Sequence, residues 1–164
     1  MPVLRSDKDP ENLTLTFVAE FEAPQERVWQ IWEDPRQLER WWGPPTWPAT
    51  FEQHDLRPGG SSKYYMTGPA GEKAGGWWRI VSVDKPNSLE FEDGFSDERG
   101  EPAEGMPTTR GTVTFEEVDG RTRMTTISRF ASLEQLEQLS QMGMEEGMRE
   151  AMGQIDALLA ESRV

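Results

Sequence analysis

The side chains that could carry out covalent, acid–base or metal chemistry are few in this chain of 164 residues. It contains one histidine, His54, and no cysteine. The lack of cysteine excludes disulfides, thiol nucleophiles and cysteine ligands to a metal. A single histidine is also too few for the nitrogen-rich ligand sets of zinc or copper sites. We therefore expect no metal and no cofactor.

His54 is the one candidate for acid–base chemistry that stands out. It lies beside Asp55, and a histidine paired with a carboxylate can accept and return a proton. Both residues fall in a predicted strand, where consecutive side chains point to opposite faces. Ser61 and Ser62 have no other base with which to form a triad. We therefore favour a structural histidine and assign no catalytic residue, which makes an enzyme the less favoured class.

Side chains suited to holding an apolar molecule are abundant instead. The chain has seven tryptophans, seven phenylalanines and eight methionines. Tryptophan and tyrosine combine an apolar ring with one polar group, and methionine adapts its shape to irregular partners. Because neighbours in a strand face opposite ways, only one of Trp77 and Trp78 can face the interior. The same holds for Tyr64 and its neighbour Tyr65.

Composition narrows the class of protein further. Lys and Arg number 17 against 30 Asp and Glu, which gives a net charge of −13. This charge argues against nucleic acid and anionic membranes as main partners. No apolar run approaches the ~18 residues of a membrane span, and the start of the chain lacks the apolar stretch of a secretory signal. We expect a cytoplasmic protein with one domain over residues 12–164, preceded by a flexible polar arm at 1–11.

The elements that must position these side chains are mostly short strands. Residues 13–22 alternate apolar and polar side chains, which predicts a half-buried strand. Two short helices then begin near Pro24 and Asp34. We predict further strands at 49–56, 61–67, 76–84, 88–92, 110–118 and 121–130. Their short connections require antiparallel pairing.

Two connections have specific expectations. Asp119-Gly120 predicts a two-residue hairpin turn, which pairs Phe115 with Met124 on the inner face and Glu116 with Arg123 on the outer face. Residues 93–108 form an acidic segment rich in glycine and proline. We interpret this segment as a mobile loop rather than a functional one.

The last element is a helix predicted over residues 133–161, which at ~1.5 Å per residue would be ~43 Å long. It contains Gly143, Gly147 and Gly153, each costing ~1 kcal/mol relative to alanine. Together the elements predict an α+β domain, in which a curved antiparallel sheet wraps around a long C-terminal helix and two short helices follow the first strand. The space between sheet and helix can remain an apolar cavity.

Several short motifs resemble one family. They are Phe21–Pro24, Val28-Trp29, Trp32–Pro35, Trp41–Pro44, Asp55–Gly60 and Glu146–Met148. Together they resemble the activator of Hsp90 ATPase homologue 1-like (AHSA1-like) family of the START/Bet v 1-like superfamily, also called SRPBCC or polyketide cyclase proteins. The resemblance implies the helix-grip fold. Glu33, Met148 and Gly153 depart from the family pattern, so no particular ligand is carried over.

On this fold we expect twelve residues to line a ligand cavity: Trp32, Trp47, Tyr64, Met66, Trp77, Trp78, Phe91, Phe115, Met124, Met144, Gly147 and Met148. Trp41 and Trp42 are expected to pack the short helices against the sheet. Trp29 falls off the apolar face of its helix.

Three functions follow from these expectations. The first is binding of a small hydrophobic or aromatic molecule in the cavity, without covalent chemistry. The second is a polyketide cyclase-like or aromatase-like enzyme, which requires a polar side chain deep in the cavity and could use His54, Tyr64 or a carboxylate. The third is activation of an Hsp90-type chaperone ATPase, with the acidic 93–108 segment as a partner surface. A homodimer is left open.

Overall fold

The structure is a computed structural model that describes residues 3–161. It contains one eight-stranded sheet and five helices. The strands are β1 (Val3–Asp9), β2 (Thr14–Phe21), β3 (Ala49–His54), β4 (Ser61–Thr67), β5 (Lys73–Asp84), β6 (Ser88–Phe95), β7 (Thr108–Val118) and β8 (Arg121–Arg129). The helices are α1 (Gln25–Glu33), α2 (Pro35–Leu38), α3 (Leu133–Gln141), α4 (Met144–Met152) and α5 (Ile155–Glu161).

All the strands pair antiparallel, in the spatial order β1-β2-β8-β7-β6-β5-β4-β3. The alternation in β2 buries Leu15, Phe17, Ala19 and Phe21 on the face that carries the core. The helices cover this same face, so the predicted α+β class and the curved antiparallel sheet with its C-terminal helix are confirmed.

The β7–β8 hairpin has the predicted turn and register. Asp119 and Gly120 both have positive φ, at 53° and 80°. Phe115 pairs with Met124, and Glu116 pairs with Arg123. The side chain of Arg123 reaches Glu116 and Glu20 on the outer face.

The prediction of a flexible arm is wrong for residues 3–9. They form β1, which pairs antiparallel with β2 from Val3 opposite Ala19 to Asp9 opposite Thr14. The segment looks like an arm because most of its residues are polar or charged, but pairing along an edge uses backbone groups. Charged side chains are a common way to protect such an edge from further pairing. Residues 1 and 2 of the predicted arm lie outside the described residues.

Helix α1 buries a wider face than its sequence pattern suggested. Val28, Ile31 and Trp32 are buried as expected, but Trp29 is also fully buried. Its ring lies 5.5 Å from that of Phe115, and its indole N–H donates to Glu33 at 3.2 Å. The prediction that Trp29 lies off the apolar face is therefore wrong, because α1 packs against the end of the β7–β8 hairpin as well as against α2.

The long C-terminal helical segment is confirmed, but it is divided into α3, α4 and α5 rather than running straight. Ser132 caps α3, its hydroxyl accepting from the backbone N–H of Gln135 at 3.1 Å. Gly143 interrupts the segment with a left-handed φ of 85°, a conformation that glycine adopts at no steric cost. A second break follows α4 at Gly153.

The core beneath α1 and α2 is a cluster of aromatic rings. The Trp32 ring lies 4.8 Å from Trp41 and 6.0 Å from Trp42, and Trp42 lies 4.9 Å from Trp78. Trp78 stacks on Phe91 at 4.3 Å. Trp41 also donates from its indole N–H to the Ile31 carbonyl at 3.0 Å. This packing agrees with the expectation that Trp41 and Trp42 hold the short helices to the sheet.

Candidate ligand-binding cavity

A cavity of about 320 Å³ lies between the sheet and the C-terminal helices. Strands β4, β6, β7 and β8 form one side, and α3, α4 and the segment around Trp42–Trp47 form the other. This volume is at the lower end of the ~300–1,000 Å³ typical of small-molecule sites. Met142 stands at its edge with 56% of its surface exposed. The cavity is therefore large enough for a compact molecule of one or two rings.

Seven of the twelve predicted residues line this cavity: Trp47, Tyr64, Met66, Phe91, Met144, Gly147 and Met148. They come from the loop before β3, from β4, from β6 and from α4. The fold therefore brings together residues that are far apart in the sequence. Tyr64 is the inward residue of its pair, whereas Tyr65 lies on the other face beneath Lys73 at 4.4 Å.

The other five predicted residues do not line the cavity: Trp32, Trp77, Trp78, Phe115 and Met124. Four of them are core residues. Trp32, Trp78 and Met124 are fully buried, and the Trp32 indole N–H points to the Met124 sulfur at 3.3 Å. Phe115 packs against α1.

Trp77 lies on the opposite face of the sheet. Its indole N–H donates to the Phe95 carbonyl at 3.1 Å, and its ring covers Gly94, where an added Cβ would lie 2.6 Å from the ring. Trp78 is thus the inward residue of the pair. It packs behind Phe91, which separates it from the cavity. The alternation rule separated the two tryptophans correctly but could not say which of them faced inward.

The cavity wall also contains residues that the sequence did not indicate, chiefly Asp93, Phe95, Thr109, Thr126 and Ser128. Asp93 and Phe95 continue the inward alternation of β6 beyond Phe91, in a stretch that was predicted to be loop. Only residues 96–107 connect β6 to β7. In this connection the Asp97 carboxylate accepts from the backbone N–H groups of Arg99 and Glu101, at 2.9 and 3.0 Å.

Asp93 forms a polar pair with Tyr64 in the wall. The Tyr64 hydroxyl donates to the Asp93 carboxylate at 3.2 Å. Burial raises the pKa of Asp93 to about 7, although hydrogen bonds from Tyr64 and the Gly94 backbone act to lower it. Burial also raises the pKa of Tyr64, and the neighbouring Asp93 charge adds to this effect. The pair therefore presents a carboxyl that gains or loses its proton near neutral pH.

A second depression, of about 460 Å³, lies at the far end of the β7–β8 hairpin. Glu22, Glu117, Asp119 and Arg121 are among the residues around it. It lacks the apolar, converging walls of a small-molecule site, so we assign the candidate site to the smaller cavity.

Comparison with known proteins identifies the family of this fold. The sequence model described as "Activator of Hsp90 ATPase homolog 1-like protein" matches residues 22–160. The chain belongs to the AHSA1-like family. This confirms the resemblance carried by the tryptophan-rich motifs and the glycine turn at residues 55–60.

Solved structures agree with this family membership. The AHSA1-like chain is 58% identical to a protein from Arthrobacter aurescens, with a TM-score of 0.93 over 98% of this chain and 94% of that one. It is 52% identical to protein Ms6760 from Mycobacterium smegmatis, with a TM-score of 0.89 over 96% and 97%. A protein from Staphylococcus epidermidis shares 27% identity with a TM-score of 0.84 over 98% and 96%.

No curated protein matches the AHSA1-like chain. No helix within residues 3–161 is both long and apolar enough to cross a membrane. A chaperone partner, a homodimer and a cytoplasmic location stay predictions for this protein.

His54 of the AHSA1-like domain is held by hydrogen bonds on both ring nitrogens. Nε2 lies 2.7 Å from the Trp32 carbonyl, which can only accept, so Nε2 carries the proton. Nδ1 then accepts from the Ser62 hydroxyl at 2.7 Å. Burial lowers the pKa of His54, which favours this neutral form. The residue therefore fixes α1 to β3 and β4, in line with the structural role favoured from the sequence.

Glycines under two of the cavity rings create the space that those rings occupy. An added Cβ would lie 2.3 Å from the Tyr64 ring at Gly76, and 2.9 Å from the Phe91 ring at Gly111. Gly147 is the opposite case, because nothing lies within 4 Å of a Cβ added there. Its position on the cavity wall makes it the natural control for the buried glycines.

Gly76→Ala is expected to destabilise the domain by about 1–3 kcal/mol, since the methyl group must displace the Tyr64 ring from a packed layer. Gly147→Ala is expected to raise stability by up to ~1 kcal/mol, because alanine favours the helix and meets no neighbour. Urea denaturation of both variants measures the difference. Equal effects of the two substitutions would contradict this description of the wall.

Asp93→Asn is expected to change how stability depends on pH. The folded-state pKa of Asp93, about 7, lies above its ordinary value of 3.8, so the protonated carboxyl stabilises the fold at low pH. That contribution is lost as pH rises from about 4 to about 7. The variant should therefore become more stable relative to the unmodified protein as the pH rises from about 4 to about 7.

Denaturation of both proteins across this pH range gives the difference directly. The lowered pKa of His54 acts in the opposite sense, removing stability as the pH falls below 6.5. This effect of His54 is the same in both proteins, so it cancels when their stabilities are compared. A constant stability difference between them would show that Asp93 titrates as an ordinary surface carboxylate.

Proposed function

We propose that this AHSA1-like protein binds a small hydrophobic or aromatic molecule in the cavity, without covalent chemistry. The observation that carries the proposal is an open volume of about 320 Å³ inside a domain whose core is otherwise closely packed. The cavity is concave and lined mainly by apolar side chains, as small-molecule sites usually are.

The composition of the wall supports an apolar occupant. Phe91 and Phe95 supply rings from β6, and Met66 lies across from the α4 residues Met144 and Met148. Methionine side chains adjust to partners of different shape. This wall therefore suits a flat or compact molecule that is held mainly by burial of its apolar surface.

The experiment combines ligand screening with native mass spectrometry. Trp42 and Trp47 line the cavity, so intrinsic tryptophan fluorescence reports on entry of a compound. A library of one- and two-ring hydrophobic compounds is expected to yield binders that form one-to-one complexes. If no compound changes the fluorescence or forms a complex, the proposal is wrong.

A second candidate is a cyclase-like or aromatase-like enzyme, and one observation favours it. Such an enzyme needs a polar side chain in the cavity, and Asp93 hydrogen-bonded to Tyr64 meets this requirement. A carboxyl whose pKa lies at about 7 is suited to general acid–base work. His54 is a poorer candidate for this role, because both of its nitrogens are engaged away from the cavity wall.

Incubation with a linear poly-β-ketone thioester tests the enzyme directly. Accelerated formation of a cyclised product by the unmodified protein, and its loss in Asp93→Asn, would support catalysis. Equal product with either protein and with buffer alone would leave binding as the function.

A further inference from the structure

The charge of the cavity wall is carried by one residue. Asp93 is its only carboxylic side chain, and none of the described residues that line the cavity is a lysine, an arginine or a histidine. The strands on either side of β6 carry Arg79 on β5 and Arg110 on β7, both opposite Glu92. These two side chains lie on the other face of the sheet and form ion pairs there with Glu92. An ionised Asp93 therefore has no cationic partner within the wall.

Two further polar groups of the wall are buried. The Trp42 indole N–H and the Thr126 hydroxyl are buried and make no hydrogen bond of normal geometry within residues 3–161. Both side chains line the cavity and are at least nine-tenths buried, with 5% and 4% of their surface exposed. The Trp42 indole N–H interacts with the Tyr64 hydroxyl and acts to lower its pKa, so Trp42 supports the Tyr64–Asp93 pair.

Aromatic residues line the cavity wall on either side of the carboxylate in sequence and beside it. Tyr64 donates to it, Trp42 lies 6.2 Å from the Tyr64 ring, and Phe91 and Phe95 lie two residues away from Asp93 along β6. The Trp78 indole N–H lies behind the wall and acts to lower the pKa of Asp93, although it forms no hydrogen bond of normal geometry. Aromatic rings and a carboxylate in one cavity wall are a combination suited to an organic cation.

We propose that the cavity selects hydrophobic amines, whose ammonium group pairs with Asp93 while the apolar body packs against Phe91 and the α4 methionines. This inference rests on the proposed function and specifies its ligand class. The amine supplies the charge that the wall lacks, and its N–H groups can donate to Asp93.

Other ligand classes fit this wall less well. A carboxylate ligand would face Asp93 without a cation between them, in a protein whose net charge is −13. A neutral alcohol can donate to Asp93 but leaves its charge unpaired in an apolar site, which is unfavourable. The negative field of the whole protein also favours entry of a cation over an anion.

Binding of an amine should strengthen with pH. Burial places the pKa of Asp93 at about 7, so a larger fraction of the carboxyl is ionised at higher pH. The other titratable group on the wall is Tyr64, whose pKa is raised and which stays neutral in this range. His54 lies behind the Trp78 ring, at 5.7 Å, and is neutral above its lowered pKa. The pH profile therefore reports on Asp93.

The test uses three probes built on one ring system: naphthylmethylamine, naphthylmethanol and naphthoate. Their affinities for the full chain are measured by calorimetry at about pH 8, with Asp93→Asn as the matched variant. We expect the amine to bind at least ~tenfold more tightly than the alcohol, and naphthoate to bind most weakly. Asp93→Asn should remove the amine's advantage over the alcohol.

The pH profile of the unmodified protein tests the inference without any substitution. Amine affinity should rise by about tenfold between about pH 6 and about pH 8, while alcohol affinity stays constant. Equal affinities of amine and alcohol, or an unchanged preference in Asp93→Asn, would overturn the amine specificity and leave the proposed function standing. Failure of all three probes to bind would count against both proposals.

Discussion

Replacing Trp32 by alanine is expected to lower the free energy of unfolding by about 3–5 kcal/mol, the largest loss of stability that we predict. Trp32 is fully buried at the centre of the aromatic cluster, with Trp41, Trp42 and Trp78 around it. The substitution removes these ring contacts and leaves a cavity that the packed neighbours can only partly close. At ~2–4 °C per kcal/mol for a domain of this size, the melting temperature should fall by roughly 6–20 °C.

Trp47→Ala is the matched control, because it removes the same side chain from the cavity wall instead of the core. Trp47 is half-buried, and we expect its loss to cost about 1 kcal/mol or less. Thermal unfolding followed by circular dichroism compares the two variants. Similar losses of stability would contradict the assignment of Trp32 to the core and of Trp47 to the cavity.

Gly147→Phe is expected to weaken ligand binding strongly while preserving the fold. Gly147 lies within α4 on the cavity wall, and its backbone has no positive φ that would exclude a side chain. Nothing lies within 4 Å of an added Cβ, so the phenyl ring can enter the open volume. Since the cavity measures only about 320 Å³, this ring takes the space of a one-ring ligand. Affinity for naphthylmethanol should fall by at least ~tenfold.

Gly147→Ala separates filling the cavity from altering the helix. It makes the same change in backbone freedom but adds only a methyl group. Its affinity for naphthylmethanol should therefore stay within ~threefold of that of the unmodified protein. Calorimetric titration gives both affinities, and circular dichroism checks the helix content. Undiminished binding by Gly147→Phe would place the ligand outside this cavity.

The parts of the fold that local sequence determines were predicted well. The Asp119-Gly120 turn set the register of β7 against β8, because a two-residue turn leaves one way to pair the flanking strands. The alternation of β2 depends equally on neighbouring residues. Residues 3–9 were missed because their pairing depends on backbone groups at a sheet edge rather than on apolar side chains.

Asp93 shows why the main polar residue of the site could not be predicted. Asp93-Gly94 has the composition of a turn, so the strand was ended at residue 92. In the structure Gly94 lies within β6, because the Trp77 ring covers it from the other face of the sheet. That contact joins neighbouring strands, and no local pattern contains it. Only the alternation from Phe91 to Asp93 offered a signal.

The tryptophans illustrate the same limit. Their abundance indicated an aromatic interior, and seven of the twelve expected residues do meet at one cavity. The sequence could not separate the ring cluster around Trp32 from the wall around Trp47, because both contain the same residue types at similar spacing. The break at Gly143 was equally hidden, since a glycine in a helix pattern can continue the helix or end it.

Methionine methyl NMR of the full chain tests the central claim, ligand binding in this cavity, most directly. Met66, Met144 and Met148 line the cavity, whereas Met124 and Met152 are fully buried in the core. On titration with naphthylmethanol, we predict that the methyl signals of the first three shift in a saturable manner while those of Met124 and Met152 stay in place. Unchanged signals from the three cavity methionines, or equal shifts in both groups, would contradict the account.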